Sequence, residues 1–228
     1  MGKRKVFLHI GSAGGSGDVI ETAVHHHRHA LAELGVRTPV PTPDDGFRAA
    51  IEITRQHKAW GYKRKEVEGA WAKICRRLLK APGKDVYVVS QPLLGVATAE
   101  QIDLLLDQLP GTQRHVVITG PARTDDTSWP VLVERWTAAL GKPERVHTIA
   151  GDLSEEQVWR EFGRIVGFGT TSLPVTGLVR QRPTDLTAAL REVERLARRN
   201  DSLVHEICDL RERSEKRKRK LLRRNSAA

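Results

Sequence analysis

The sequence predicts an α/β fold, a parallel sheet flanked by helices, followed by a long basic C-terminal helix. Three observations carry this. Short apolar runs alternate with helical patterns from residue 5 to residue 166, the order expected of a parallel sheet covered on both faces. The first apolar run ends in a glycine-rich loop, GSAGGSG at 11–17. Past a Gly- and Pro-containing stretch, the chain carries an apolar seam at helical spacing and then a run of positive charge. The boundaries that follow are an α/β domain over 1–166, a linker over 167–183, and a basic helix with its tail over 184–228.

KVFLHI at 5–10 reads as a buried strand feeding the loop. Residues 18–34 then read as one helix, with Asp18 as its N-cap and Gly35 as its stop. After the Pro-rich turn at 39–43, helical patterns cover 47–57 and 66–80, the second ended by Pro82 and Gly83. DVYVVS at 85–90 is the second strand predicted. TAEQIDLLLDQL at 98–109 is a helix capped by Thr98. HVVIT at 115–119 is a strand, and 130–140 a helix with Pro130 near its first turn. RVHTIA at 145–150 is the fourth strand, followed by a helix over 154–166. GFGTTSLPVTG at 167–177 has two glycines, a proline and no helical period, so it reads as linker.

Composition narrows the class of protein. Hydrophobic residues make up 39% of the 228 residues and charged ones 29%, which is the balance of a folding chain. The net charge of +10 points to an anionic partner, but KRKRKLLRR at 216–224 holds much of it. Cys75 and Cys208 lie far apart in no metal-binding or disulfide spacing. The basic N-terminus is followed by too short an apolar run for a signal peptide, and no run reaches the ~18 residues of a membrane span. The expected location is the cytoplasm.

Parallel sheets bind ligands beyond the carboxyl ends of their strands. The candidate ligand loops are therefore 11–18, 90–97, 120–129 and 150–153. In the first, Gly11, Ser12, Gly14, Gly15, Ser16 and Gly17 let backbone amides converge on an anion at a helix start. The loop is neither a Walker A motif nor G-x-G-x-x-G, since Ile20 stands where the third glycine would be. A tight turn with no ligand accounts for the same residues, and both readings stay open.

Several segments, taken in order, resemble the actinobacterial sulfotransferase-like family. VFLHIGSAGGSGD at 6–18, Arg28 with ALAELGV at 30–36, VYVVSQPLLGVATAEQ at 86–101 and WPVLVERWTAALGKPERVHTIAG at 129–151 carry the likeness, over roughly residues 5–166. The resemblance implies a P-loop-like fold that binds 3′-phosphoadenosine 5′-phosphosulfate, with the first loop on the phosphosulfate. Sulfuryl transfer needs positive charge on the departing oxygen and a base for the acceptor hydroxyl. This chain departs from the family at each such place. The loop lysine falls on Gly14, and the Thr-Thr pair on Gly17 and Asp18. The base falls on Gln91 and Pro92, and the phosphate-binding arginine on Gly120 and Pro121, with Arg123 close but off register. The chain is also shorter between Asp126 and Trp129. One lost donor of this kind is worth about two to three orders of magnitude in rate. No catalytic residue is therefore assigned.

Other motifs carry two readings each. His25 and His29, four apart, would share a metal on one helix face or form a solvated face. His9 is expected to be structural. The five tryptophans are expected in the core ahead of base stacking. Leu186, Val193, Asn200 and Ile207 at a, with Ala189, Leu196, Leu203 and Leu210 at d, form a heptad that favours a parallel dimer. Glu206 would reach Arg211 of the second chain. Leu190, Ala197 and Val204 widen the face enough to suit a single packed helix instead. Residues 211–224 would bind a polyanion or remain a solvated tail.

These observations point to a sulfotransferase-like protein that is catalytically degenerate and acts as a binding or self-association module. The alternatives are an active sulfotransferase and a nucleic-acid-associated dimer.

Overall fold

The computed structural model describes residues 3–11, 17–60, 62–83, 85–121 and 128–178, together with Ile207, Leu210, Arg211, Arg213 and Ser214, each of them helical. The heptad seam over 186–210 and the basic run over 211–224 lie almost wholly outside the described residues. So do Ser12, Gly14, Gly15, Ser16 and Arg123.

β1 (Lys5–Gly11) sends Val6, Leu8 and Ile10 into one apolar cluster and Phe7 into the other, as the two-residue period of a strand requires. The single helix expected over 18–34 is two, α1 (Gly17–His26) and α2 (Arg28–Glu33). The break falls at His27, whose Nε2–H donates to the Pro174 carbonyl at 2.8 Å while its ring stacks on Trp159. Because α1 begins at Gly17, Asp18 lies in its first turn rather than at the cap. β2 (Val36–Arg37) is too short to show a period and has no counterpart in the sequence reading. Pairing with Tyr87 and Val86 across the sheet makes it a strand.

α3 (Pro43–Ile53) starts four residues earlier than expected because Thr42 caps it, accepting from the Asp45 N–H at 3.1 Å. It also ends earlier, just before Arg55, whose φ of 57° leaves the helical region. The helix expected over 66–80 is divided at Gly69 (φ 79°) into α4 (Arg64–Val67) and α5 (Ala70–Lys80). The Glu52 carboxylate accepts the N–H groups of Gly69 at 2.6 Å and Trp71 at 2.8 Å, so a distant side chain satisfies orphan donors at the start of α5.

β3 (Val86–Ser90) leads through a 3₁₀ turn, Pro92–Val96, into α6 (Ala99–Asp107). Thr98 caps α6 as expected, and Gln101 returns a hydrogen bond to the Thr98 N–H at 3.0 Å. β4 (Gln113–Thr119), α7 (Ser128–Leu140), β5 (Val146–Ile149) and α8 (Glu155–Val166) complete the order.

All strand pairings are parallel, and the sheet runs β2-β3-β1-β4-β5. β1 is central. Trp71, Trp136, Leu105 and Leu106 pack on one face, while α1 and α8 close the other with Val19, Ile20, Val158 and Phe162. α1, which follows β1, and α6, which follows the neighbouring β3, thus lie on opposite faces, which opens a crevice at the carboxyl ends of these two strands.

The chain divides into two units, Met1–Val179 and Arg180–Ala228. The first extends past the boundary expected at 166. Residues 167–177, read as linker, pack back onto α8: Leu173 and Val175 are buried, and Trp159 Nε1–H donates to the Leu173 carbonyl at 2.8 Å. Gly167 (φ 99°) ends the helix as a C-cap and lets the chain turn back. Among the described residues, no helix is long and apolar enough to cross a membrane.

Candidate functional site

The carboxyl ends of β1, β3 and β4 meet at three polar side chains. His9 on β1 is wholly buried, with Nδ1 at 2.7 Å from Ser90 Oγ on β3 and Nε2 at 3.3 Å from Thr119 Oγ1 on β4. Thr119 Oγ1–H donates to the Ile10 carbonyl, so it accepts from His9 Nε2–H, which leaves Nδ1 to accept from Ser90. Burial holds this imidazole neutral, its pKa lowered to about 3. His9 is therefore a neutral tie across three strands and offers no charge to a ligand.

The loops beyond those ends are set by close backbone approaches. A Cβ on Gly95 would lie 2.1 Å from the Gly11 carbonyl oxygen, and one on Gly151 would lie 2.1 Å from that of Pro121. Only glycine fits at either place. Gly11 itself is hemmed in by Thr119 and Pro92, while Gly17 opens α1. Of the loop residues singled out in the sequence, these two are described and the four between them are not.

Gln91, where the resemblance places a base, is buried at 5% exposure. Its Nε2–H donates to Glu21 Oε1 on α1 at 3.2 Å, and its Oε1 accepts from the Leu93 N–H. Burial raises the Glu21 carboxyl to about pKa 7, against a smaller lowering by the Gln91 hydrogen bond. The pair is fitted against α3: a Cβ on Gly46 would stand 3.4 Å from Gln91 Nε2 and 4.0 Å from Glu21 Oε1.

In front of the pair lies a cavity of about 480 Å³, bounded by α1, α3 and the end of β3. Asp18, Glu21, Thr22 and His25 line it from α1, Pro43, Asp44 and Phe47 from α3, and Gln91 from below. Asp44 also pairs with Arg48 at 2.8 Å. His25 has its pKa lowered, first by burial and then by Arg28. The described lining thus contains three carboxyl groups and neither lysine nor arginine.

Glu21 is the residue that the sequence reading missed. A signal existed: Asp18, Glu21, Thr22 and His25 repeat at helical spacing opposite the apolar Val19, Ile20, Ala23 and Val24. What that stripe faces depends on where β3 and α3 lie, which spacing alone does not give.

The remaining candidates are dispersed. His25 and His29 stand on separate helices. Among the described residues, no group of three or more His, Cys, Asp or Glu side chains is placed to hold a metal. Trp71, Trp136 and Trp159 are in the core and Trp129 packs against it. Trp60 departs from expectation: it is 51% exposed and meets Phe47 edge to face. Gly120 and Pro121 carry the chain off β4 and supply no cation. Cys75 is a buried free thiol whose pKa burial pushes up to about 12.

Compared with known proteins, the chain matches no family model, no curated protein and no solved structure.

Proposed function

We infer that the chain is a sulfotransferase-like protein that does not transfer sulfuryl groups and acts as a binding or self-association module. The observation that carries this reading is the Gln91–Glu21 hydrogen bond at the end of β3. Gln91 occupies the place of the base and cannot take a proton near neutral pH. Its partner adds a carboxyl group where a sulfuryl donor would call for positive charge. Asp18 in the first turn of α1 adds another, at the helix end that otherwise favours anions.

Self-association through the seam over 186–210 and polyanion binding through 211–224 belong to the same reading. Their support is the sequence: residues 180–228 hold 15 Lys and Arg against 8 Asp and Glu. A second reading, an active sulfotransferase using 3′-phosphoadenosine 5′-phosphosulfate, draws on Glu21. A carboxyl group that titrates near neutrality is a competent general base.

Calorimetry with 3′-phosphoadenosine 5′-phosphate decides between them. The module predicts no binding heat with ligand at about 1 mM, the weak limit of a useful affinity. A dissociation constant of about 1 μM would contradict it and support the enzyme.

A further inference from the structure

We propose that the cavity between α1, α3 and the end of β3 binds a small organic ammonium compound with an apolar, ring-sized body. The proposal rests on the reading that this site does not serve a sulfuryl donor, and it names what the site takes instead. Three features argue for it.

The cavity is about 480 Å³, within the size range of small-molecule sites, and it lies at the crevice where such sites form in parallel sheets. Its polar groups converge. Glu21 and the buried Gln91 amide form the floor, and Asp18 and Asp44 flank them from two helices. An ammonium group donates up to three hydrogen bonds, so one cation serves Glu21 and a second acceptor of the lining together. The third feature is the Phe47 wall, backed by Trp60 at 5.0 Å and Tyr62 at 6.1 Å between ring centroids. An aromatic face beside carboxylates attracts a cation and covers the apolar body attached to it.

Among the described residues, Arg48 and His25 are the groups that compete. Arg48 is paired with Asp44 and lies over Tyr62, and burial lowers the pKa of His25, which disfavours a positive charge there. Glu21 therefore remains the acceptor for the incoming cation. A carboxylate or phosphate ligand would meet the ionised Glu21 carboxylate in the same space.

The groups that face Glu21 also fix a pH dependence: Asp18 and His25 on its own helix, Asp44 with Arg48 on α3, and Gln91 after β3. Glu21 ionises as pH rises through about 7, while an alkylammonium keeps its proton to about pH 10. Ammonium binding should therefore tighten between mildly acidic and mildly basic solution.

The test uses the full chain and three matched probes: 2-phenylethylamine, 2-phenylethanol and phenylacetate. Saturation-transfer NMR at about pH 8 should show the amine binding about tenfold more tightly than the alcohol and no binding of the acid. At about pH 5.5 the amine's advantage should shrink severalfold as Glu21 becomes neutral. Glu21→Gln, nearly isosteric and able to keep the Gln91 contact, should remove the advantage at both pH values while the thermal transition persists. Equal binding of the three probes, preference for phenylacetate, silence of the amine at about 10 mM, or an unchanged preference in Glu21→Gln would each overturn the proposal. The nucleotide titration reports separately. If both the amine and the nucleotide are silent, only this inference falls. Micromolar nucleotide binding would remove the reading beneath it, whichever probe binds.

Discussion

Glu21 and His9 show how burial acts in opposite ways on two side chains near one crevice. Burial disfavours the charged form of each, so the imidazole falls to about 3 and the carboxyl rises to about 7. His9 is settled as neutral throughout the physiological range, but Glu21 is poised. Its folded-state pKa lies above the unfolded value of 4.5, so the protonated carboxyl is the form the fold prefers. The contribution is fully present below pH 4.5 and is lost as pH rises to about 7. Glu21→Gln removes that loss. Urea unfolding should find wild type and variant alike at about pH 4.5, with the variant ahead by up to about 3 kcal/mol at pH 8. A constant gap across that range would contradict burial as the cause.

Among the elements, local chemistry was legible at the start of α6 and the end of α8, while the equally local Thr42 cap of α3 was missed. Thr98 before α6 and Gly167 after α8 behave as cap and stop because their partners lie within a few residues. Boundaries made by distant partners were not legible. Glu52 satisfies N–H groups 17 and 19 residues away, and His27 is held by a carbonyl 147 residues away, so the breaks at Gly69 and His27 left no local signature beyond a glycine. β2 is a strand only because β3 lies beside it. The 167–177 segment reads as linker by composition, yet it supplies Leu173 and Val175 to the core. At this scale the seam over 186–210 makes its own prediction. In sedimentation the full chain should run at twice its 25.5 kDa mass, and a chain ending at Val179 as a monomer. A dimer that survives truncation would contradict the seam as the interface.

The whole molecule was legible as a class, because alternating strands and helices allow few arrangements other than a parallel sheet with two covered faces. The strand order β2-β3-β1-β4-β5 was not legible. That order makes the site by bringing the polar stripe of α1 to Gln91 and to α3. The sequence therefore showed the glycine loop and the missing cations, but not the carboxyl group that faces the pocket. Glu21 acquires its properties only in the assembled fold, since in an unfolded chain it would titrate like any glutamate.

A carbon-detected NMR titration of the Glu21 side-chain carboxyl in the full-length protein reads that assembly directly. The midpoint should fall near pH 7 and move toward 4.5 when Gly46→Leu pushes α3 away and admits water. A midpoint near 4.5 in the native protein would mean that Glu21 is solvated and that the pocket described here does not form.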